Sequence, residues 1–261
     1  MNDFRTVALT SHVMKTMERL VLHHLRPQTC HALDPLQFAY REKVGVEDAI
    51  AFLLHRSLSH LDRGSGAVRI TFLNFSSAFN TIQPLFLRDK LSGMGVGSHL
   101  VAWISDYLTS RPQYVRLGDC RSDTVVSNTG APQGTVLSPV LFTLHTSDFQ
   151  HNSDLCHVQR FADDTAIVGC IRSGKEDEYR ELIHDFVKWC DSNHLLLNTA
   201  KTREMVVDFR RSRVHPEPAH QRGLCGGGAH LQIPGVQLND RLDWTTNTDA
   251  LCRKGQSSVL P

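Results

Sequence analysis

In the stretch Val158-Gln159-Arg160-Phe161-Ala162-Asp163-Asp164-Thr165-Ala166-Ile167-Val168, two adjacent acids stand between flanks of β-forming residues. The flanks call for strands and the acids for a turn, so the segment reads as a hairpin with Asp163 and Asp164 at its tip. Neighbouring carboxylates repel and raise one another's pKa unless a cation lies between them. Their placement therefore suits a hard, oxygen-ligated metal such as Mg²⁺. A plain polar turn is the competing reading, since aspartate is a common turn former.

Around this hairpin, helical and strand patterns alternate as in an α+β fold. Residues 11–25 place Val13, Met14, Met17, Leu20, Val21 and Leu25 at helical spacing, and residues 46–61 do the same with Val46, Ile50, Leu53, Leu54, Leu58 and Leu61. Val68 to Phe75 is a nearly unbroken apolar run after Gly64-Ser65-Gly66, the pattern of a buried central strand. Pro84 opens a short helix that Gly93 to Gly97 breaks, and a second helix occupies 99–108. Residues 113–117 and 123–127 predict a hairpin, a helix starts near Ser138-Pro139, a long amphipathic helix covers 176–190, and Val206 to Phe209 reads as a strand. Beyond Arg210, Pro216, Pro218 and Gly226-Gly227-Gly228 mark residues 211–230 as loop or linker, and the last thirty residues offer one weak strand and little core.

Composition narrows the class without naming a partner. The 261 residues are 41% apolar and 21% charged, ordinary for a globular chain, and 28 basic against 27 acidic residues leave a net charge of +1. Seven cysteines, odd in number and without a CxxC pair, read as reduced thiols of an intracellular protein, and the 15 histidines form no zinc pattern. Met1-Asn2-Asp3-Phe4-Arg5 lacks the apolar core of a signal peptide, and no run approaches the ~20 apolar residues of a membrane span. The expectation is a soluble, unsecreted protein with no membrane partner; nuclear or cytoplasmic residence and oligomeric state stay open.

Three segments carry chemistry together. They are Phe72-Leu73-Asn74-Phe75-Ser76-Ser77-Ala78-Phe79-Asn80 at the exit of the buried strand, Gly130-Ala131-Pro132-Gln133-Gly134-Thr135-Val136-Leu137-Ser138-Pro139, and the Asp163-Asp164 hairpin. A strand end, a glycine-rich loop before a helix and a paired-acid turn suit a pocket for a phosphate ester and its metals, because free N–H groups at a helix start attract anions. In this order and spacing the motifs resemble the core of reverse transcriptases from non-LTR (LINE-type) retrotransposons. The upstream PLQFAYREKVGVEDAI and RTVALTSHVMKTMERLVLHHLRP resemble that family's finger region, so the likeness runs from about Arg5 to Phe209.

The resemblance implies a right-hand polymerase with fingers and palm, the palm an antiparallel sheet backed by helices. Residues 1–66 would be a fingers-like helical region, 67–210 a palm-like catalytic region with finger elements, and 211–261 a linker and degraded tail with the thumb largely missing. It further implies two Mg²⁺ ions (or Mn²⁺), an RNA template, a DNA primer and deoxynucleoside triphosphates. Asp163 would bridge the ions with Asp164 in support, the Phe75 backbone carbonyl would add a ligand, and Lys201 would protonate the leaving pyrophosphate. Phe79 would sit under the sugar, Gln133 and Gly134 against the incoming nucleotide, and Arg41 near template or triphosphate. At the second bridging position this chain has Asn74, neutral and with one acceptor oxygen beside an NH₂ donor, so metal binding and activity should both be weakened. Where Ile233-Pro234-Gly235-Val236 stands, a proline should interrupt the family's next strand. The alternatives are a noncatalytic, palm-shaped nucleic-acid-binding remnant and, less favoured, a metal-dependent phosphoesterase that would leave the PQG loop unexplained.

Overall fold

A computed structural model describes residues 7–64, 66–172, 176–210, 226–227, 230–233 and 235–259. In chain order the elements are α1 (His12–Thr29), α2 (Val46–Asp62), β1 (Gly66–Leu73), a 3₁₀ turn (Ala78–Thr81), α3 (Pro84–Gly93) and α4 (Ser98–Leu108). Four short strands follow, β2 (Arg111–Gln113), β3 (Arg116–Leu117), β4 (Cys120–Arg121) and β5 (Val125–Ser127), then α5 (Ser138–His145), β6 (Cys156–Phe161) and β7 (Asp164–Arg172). The chain closes with α6 (Asp177–Ser192), β8 (Arg203–Val207), β9 (Gly226–Gly227), β10 (His230–Ile233), β11 (Val236–Asn239) and α7 (Thr245–Val259). They form two compact units, one of residues 1–35, 77–149 and 189–196, the other of 36–76, 150–188 and 197–261.

The second unit is built on a five-stranded sheet in the order β6-β7-β1-β8-β9, antiparallel except for β8 with β9. Strand β1 is central, as its apolar run predicts, and its two faces differ. Val68 and Ile70 pack into a core with Ile50 and Leu53 of α2, Ala166 and Val168 of β7, and Met205 and Val207 of β8. The opposite face is polar: buried Arg69 pairs with Glu176 at 2.8 Å and with Glu204 at 3.4 Å. Beside it the Tyr179 hydroxyl lies 2.6 Å from the Thr71 hydroxyl and donates to Glu204 at 2.9 Å.

In the first unit, α1 is capped by Ser11, whose hydroxyl accepts from the Met14 N–H at 3.2 Å. The helix lies where the apolar spacing puts it, but its buried face is rotated from the predicted stripe. Val13, Met17 and Leu20 are exposed, while Glu18, Val21, Leu22 and Leu25 are buried. The expected hairpin at 113–127 is present in a different register, with β2 paired to β5 and β3 to β4 nested inside.

The tail departs from expectation. The 211–230 stretch lies largely outside the described residues. Beyond it β10 and β11 pair from His230↔Asn239 to Ile233↔Val236, so the break in pairing falls between two strands instead of inside one. Helix α7 then forms where little order is expected from a sequence opening Thr245-Thr246-Asn247-Thr248. Asp243 starts it by accepting from the N–H and hydroxyl of Thr245, and these bonds lower its pKa to about 2. No described helix is long and apolar enough to cross a membrane, and all described cysteines are free.

Candidate active site

The β6–β7 hairpin turns through only two residues, since Phe161 pairs with Asp164. Asp163 is therefore in the turn, and Asp164 is the first residue of β7 instead of part of the tip. Ala162 has φ +59 and Asp163 does not share a positive φ, the sign pattern of a type II′ turn, in which glycine is the preferred first residue. An alanine there costs about 1–2 kcal/mol relative to a relaxed conformation.

Register places the first motif beside this turn. The β1–β7 ladder ends at Leu73↔Thr165, so the next residue, Asn74, stands across from Asp164. The Asn74 amide donates to Asp164 Oδ1 at 2.9 Å. An ionised carboxylate only accepts, so the side chain must turn its NH₂ toward Asp164. The Asn74 carbonyl accepts from the Asn198 N–H at 2.7 Å, and Phe75 bridges to Leu197 in antiparallel fashion. That pairing fastens the 198–202 turn, which carries the exposed Lys201, beside Asn74. Phe75 itself is buried, 6.4 Å from the Phe186 ring centroid.

Residues 36–41 run along the same hairpin. The Arg160 N–H donates to the Leu36 carbonyl and the Phe38 N–H to the Arg160 carbonyl, a parallel extension of the sheet. The Gln37 side chain accepts from the Ala162 N–H at 3.0 Å and donates to the Ala162 carbonyl at 3.1 Å. Tyr40 is half exposed at φ +61, and burial together with the charges of Asp163 and Asp164 raises its pKa. Arg41 is exposed, with Nη1 3.4 Å from the Gln37 carbonyl. Gln37 and Tyr40 are the residues sequence reasoning passed over. Their one signal is a polar group in a segment with neither helical nor strand period.

Phe79, Gln133 and Gly134 belong to the first unit. The Ala131 N–H donates to the Phe79 carbonyl and the Gly130 N–H to the Ile82 carbonyl, each at 2.7 Å, which ties the 3₁₀ turn to the PQG loop. The Phe79 ring is 5.3 Å from that of Phe142. At Gly134, φ is +91 and an added Cβ would lie 2.8 Å from a Val7 methyl, so here the chain's own N-terminal segment makes the close approach. The Ala8 N–H donates to the Gln133 carbonyl at 2.7 Å. Two N–H groups of the loop just before α5 are engaged internally. Buried Glu18 accepts from Val136 at 2.6 Å and Leu137 at 3.3 Å, and also from the Tyr107 hydroxyl at 3.1 Å. Burial, chiefly, pushes the Tyr107 pKa up to about 12.

Reverse transcriptases as a family use divalent metal ions. In this chain the donors are two carboxylates and an amide whose N–H is given to one of them, and the described residues gather no group of three or more His, Cys, Asp or Glu able to hold a metal. Two hard ions ~4 Å apart are held by bridging carboxylates from both strands, and at position 74 this set supplies a neutral amide in place of the second. The residues therefore do not fit a two-ion site as they stand.

The RNA-directed DNA polymerase from the mobile element jockey of Drosophila melanogaster is 24% identical over 254 residues, 92% of this chain and 25% of the relative. The probable RNA-directed DNA polymerase from transposon BS of the same fly is 24% identical over 265 residues, 97% of this chain and 29% of the relative. The chain thus spans about a quarter of the length of the curated relatives it matches. Among solved structures, apo telomerase from Candida tropicalis superposes with a TM-score of 0.59 at 10% identity, over 88% of this chain and 44% of that one. Telomerase from Candida albicans bound to a fragment of telomeric RNA gives 0.57 at 13% identity, over 88% and 36%. These structures share the fingers-and-palm polymerase fold. The family described as reverse transcriptase (RNA-dependent DNA polymerase) matches residues 1–238, and the chain belongs to it.

Proposed function

We propose that this chain is the core of a retrotransposon-type RNA-directed DNA polymerase, extending a DNA primer on an RNA template with deoxynucleoside triphosphates, and that Asn74 limits it. The Asn74 to Asp164 hydrogen bond carries the reading. It sits where register brings the first palm strand against the acid hairpin, and it replaces anionic oxygen with a donor. Asp163 and Asp164 supply the remaining charge at the site. Lys201 is proposed as the proton donor to pyrophosphate, Arg41 as a contact to template or triphosphate, Phe79 as the residue under the sugar, and Gln133 with Gly134 as the nucleotide-facing loop.

Primer extension on an RNA template by the chain as given and by Asn74→Asp tests this. The variant should gain on the order of 10³-fold, matching ~4 kcal/mol of barrier. Equal and robust extension by both proteins would overturn the assignment of Asn74 as the limiting residue. The same hydrogen bond supports a second reading, a noncatalytic binding module, because it steadies the turn without a cation. In that case both proteins bind template–primer duplex with an affinity that falls with salt, and neither extends it.

A further inference from the structure

The geometry points to Gln37 as the positioning residue that sets the Ala162–Asp163 turn, and through it the spacing of Asp163 and Asp164. The inference rests on the reading of that turn as the reaction centre. Gln37 is 4% exposed, and each polar atom of its side chain is used. Its Oε1 accepts from the N–H groups of Ala162 and Ala39, both at 3.0 Å, while its Nε2 donates to the Ala162 carbonyl at 3.1 Å. One planar amide thus holds both backbone groups of the one turn residue that carries a Cβ at positive φ. Alanine disfavours that conformation, so an external restraint must select it, and Gln37 meets the need from a segment itself pinned to β6 at Leu36 and Phe38.

The restraint is specific to an amide. Glutamate could still accept from the Ala162 N–H, yet it would face the Ala162 carbonyl without a donor and bring a third anion to the two aspartates. Methionine would fill the volume and offer neither bond. Glycine at 162 would adopt the turn unaided and make the clasp dispensable. Gln37 touches no substrate in this scheme; it acts through the turn.

The test uses the full chain carrying Asn74→Asp, with Gln37→Met, Gln37→Glu, and each of these combined with Ala162→Gly. Amide hydrogen exchange reads the turn whether or not the protein is active, and Mn²⁺ binding reads the carboxylates. Gln37→Met should speed exchange at Ala162 by about 10-fold, leave Val68 and Ile70 of β1 protected, and weaken Mn²⁺ by ~10–100-fold, the usual effect of losing an outer-shell partner. Ala162→Gly should restore Mn²⁺ affinity to within about threefold of the parent. Unchanged exchange at Ala162 in Gln37→Met, or a loss of Mn²⁺ affinity that Ala162→Gly does not repair, would overturn the proposal. So would a failure of both Gln37 variants to fold that Ala162→Gly does not correct, since Gln37 would then be a packing residue. Absence of Mn²⁺ binding in the Asn74→Asp parent would instead overturn the metal-site reading, with the exchange result at Ala162 still deciding the role of Gln37.

Discussion

An aspartate at position 74 would set two anions within hydrogen-bond distance across the β1–β7 ladder, where the amide now places a donor. At ~4 Å such a pair costs about 1–4 kcal/mol, depending on solvent exposure. Asn74→Asp should therefore melt below the parent in chelator and recover on adding Mg²⁺, with a shift of about 2–4 °C per kcal/mol. The chain as given should melt at the same temperature in both conditions. Thermal melts of the two proteins with EDTA and with Mg²⁺ check this; equal Mg²⁺ stabilisation of both would contradict it. Motif order singled out position 74 in the sequence, whereas the hydrogen-bond partner of Asn74 was not legible there. Asp164, assigned the lesser role from the motif, is the acid that register sets opposite. Gln37 and Glu18 escaped sequence reasoning for a related reason: each binds backbone more than a hundred residues away, and a long-range side-chain bond leaves no local period.

Strand β1 shows how far pattern reaches at the level of an element. Its apolar run correctly predicts a central, buried strand, but Arg69 and Thr71 alternate with Val68 and Ile70 and face a separate polar layer. Arg69 is the only described cation within ion-pair distance of both Glu176 and Glu204. Arg69→Met should lower unfolding free energy by about 3–5 kcal/mol, because buried Glu204 loses its counter-charge and Glu176 keeps only the half-exposed Arg180. Urea denaturation would show it, and a change below ~1 kcal/mol would mean that the carboxylates accept protons at little cost. Helix α1 teaches the complementary lesson. Three- and four-residue spacing located it, yet Glu18 displaced apolar residues from the buried face because two backbone N–H groups and a tyrosine hydroxyl satisfy its carboxylate. Helix α7 was invisible to the same reasoning, its start depending on Asp243 capping a weak helix former.

At the scale of the whole molecule, among the described residues each compact unit encloses one wholly buried histidine, His145 in the first and His157 in the second. Burial, reinforced by Lys90 for His145 and by Arg56 for His157, lowers each pKa to about 4. A depressed folded-state pKa means that both rings are neutral in the native state while the unfolded chain takes up protons below about pH 6.5. The stability they allow is complete above that pH and is lost as pH falls toward 4. Each histidine should account for about 3 kcal/mol of that loss. Urea midpoints between pH 7 and pH 4 should fall more steeply for the parent than for the His145→Leu and His157→Leu double variant; parallel slopes would refute the assignment.

The position of β1 at the centre of the sheet also governs when the protein can become itself. Its partners are β7, reached at Arg172↔Gly66, and β8, reached at Val207↔Val68. At ~5–20 residues per second, a ribosome needs roughly 5–20 s after releasing β1 to supply the first of them. For that interval the strand leading to Asn74 is a β-prone segment with both edges unpaired, able to seek a neighbouring chain in place of its own. Synthesis at lower temperature or in the presence of a holdase chaperone should accordingly raise soluble yield more than any substitution at Asn74, Asp163 or Asp164.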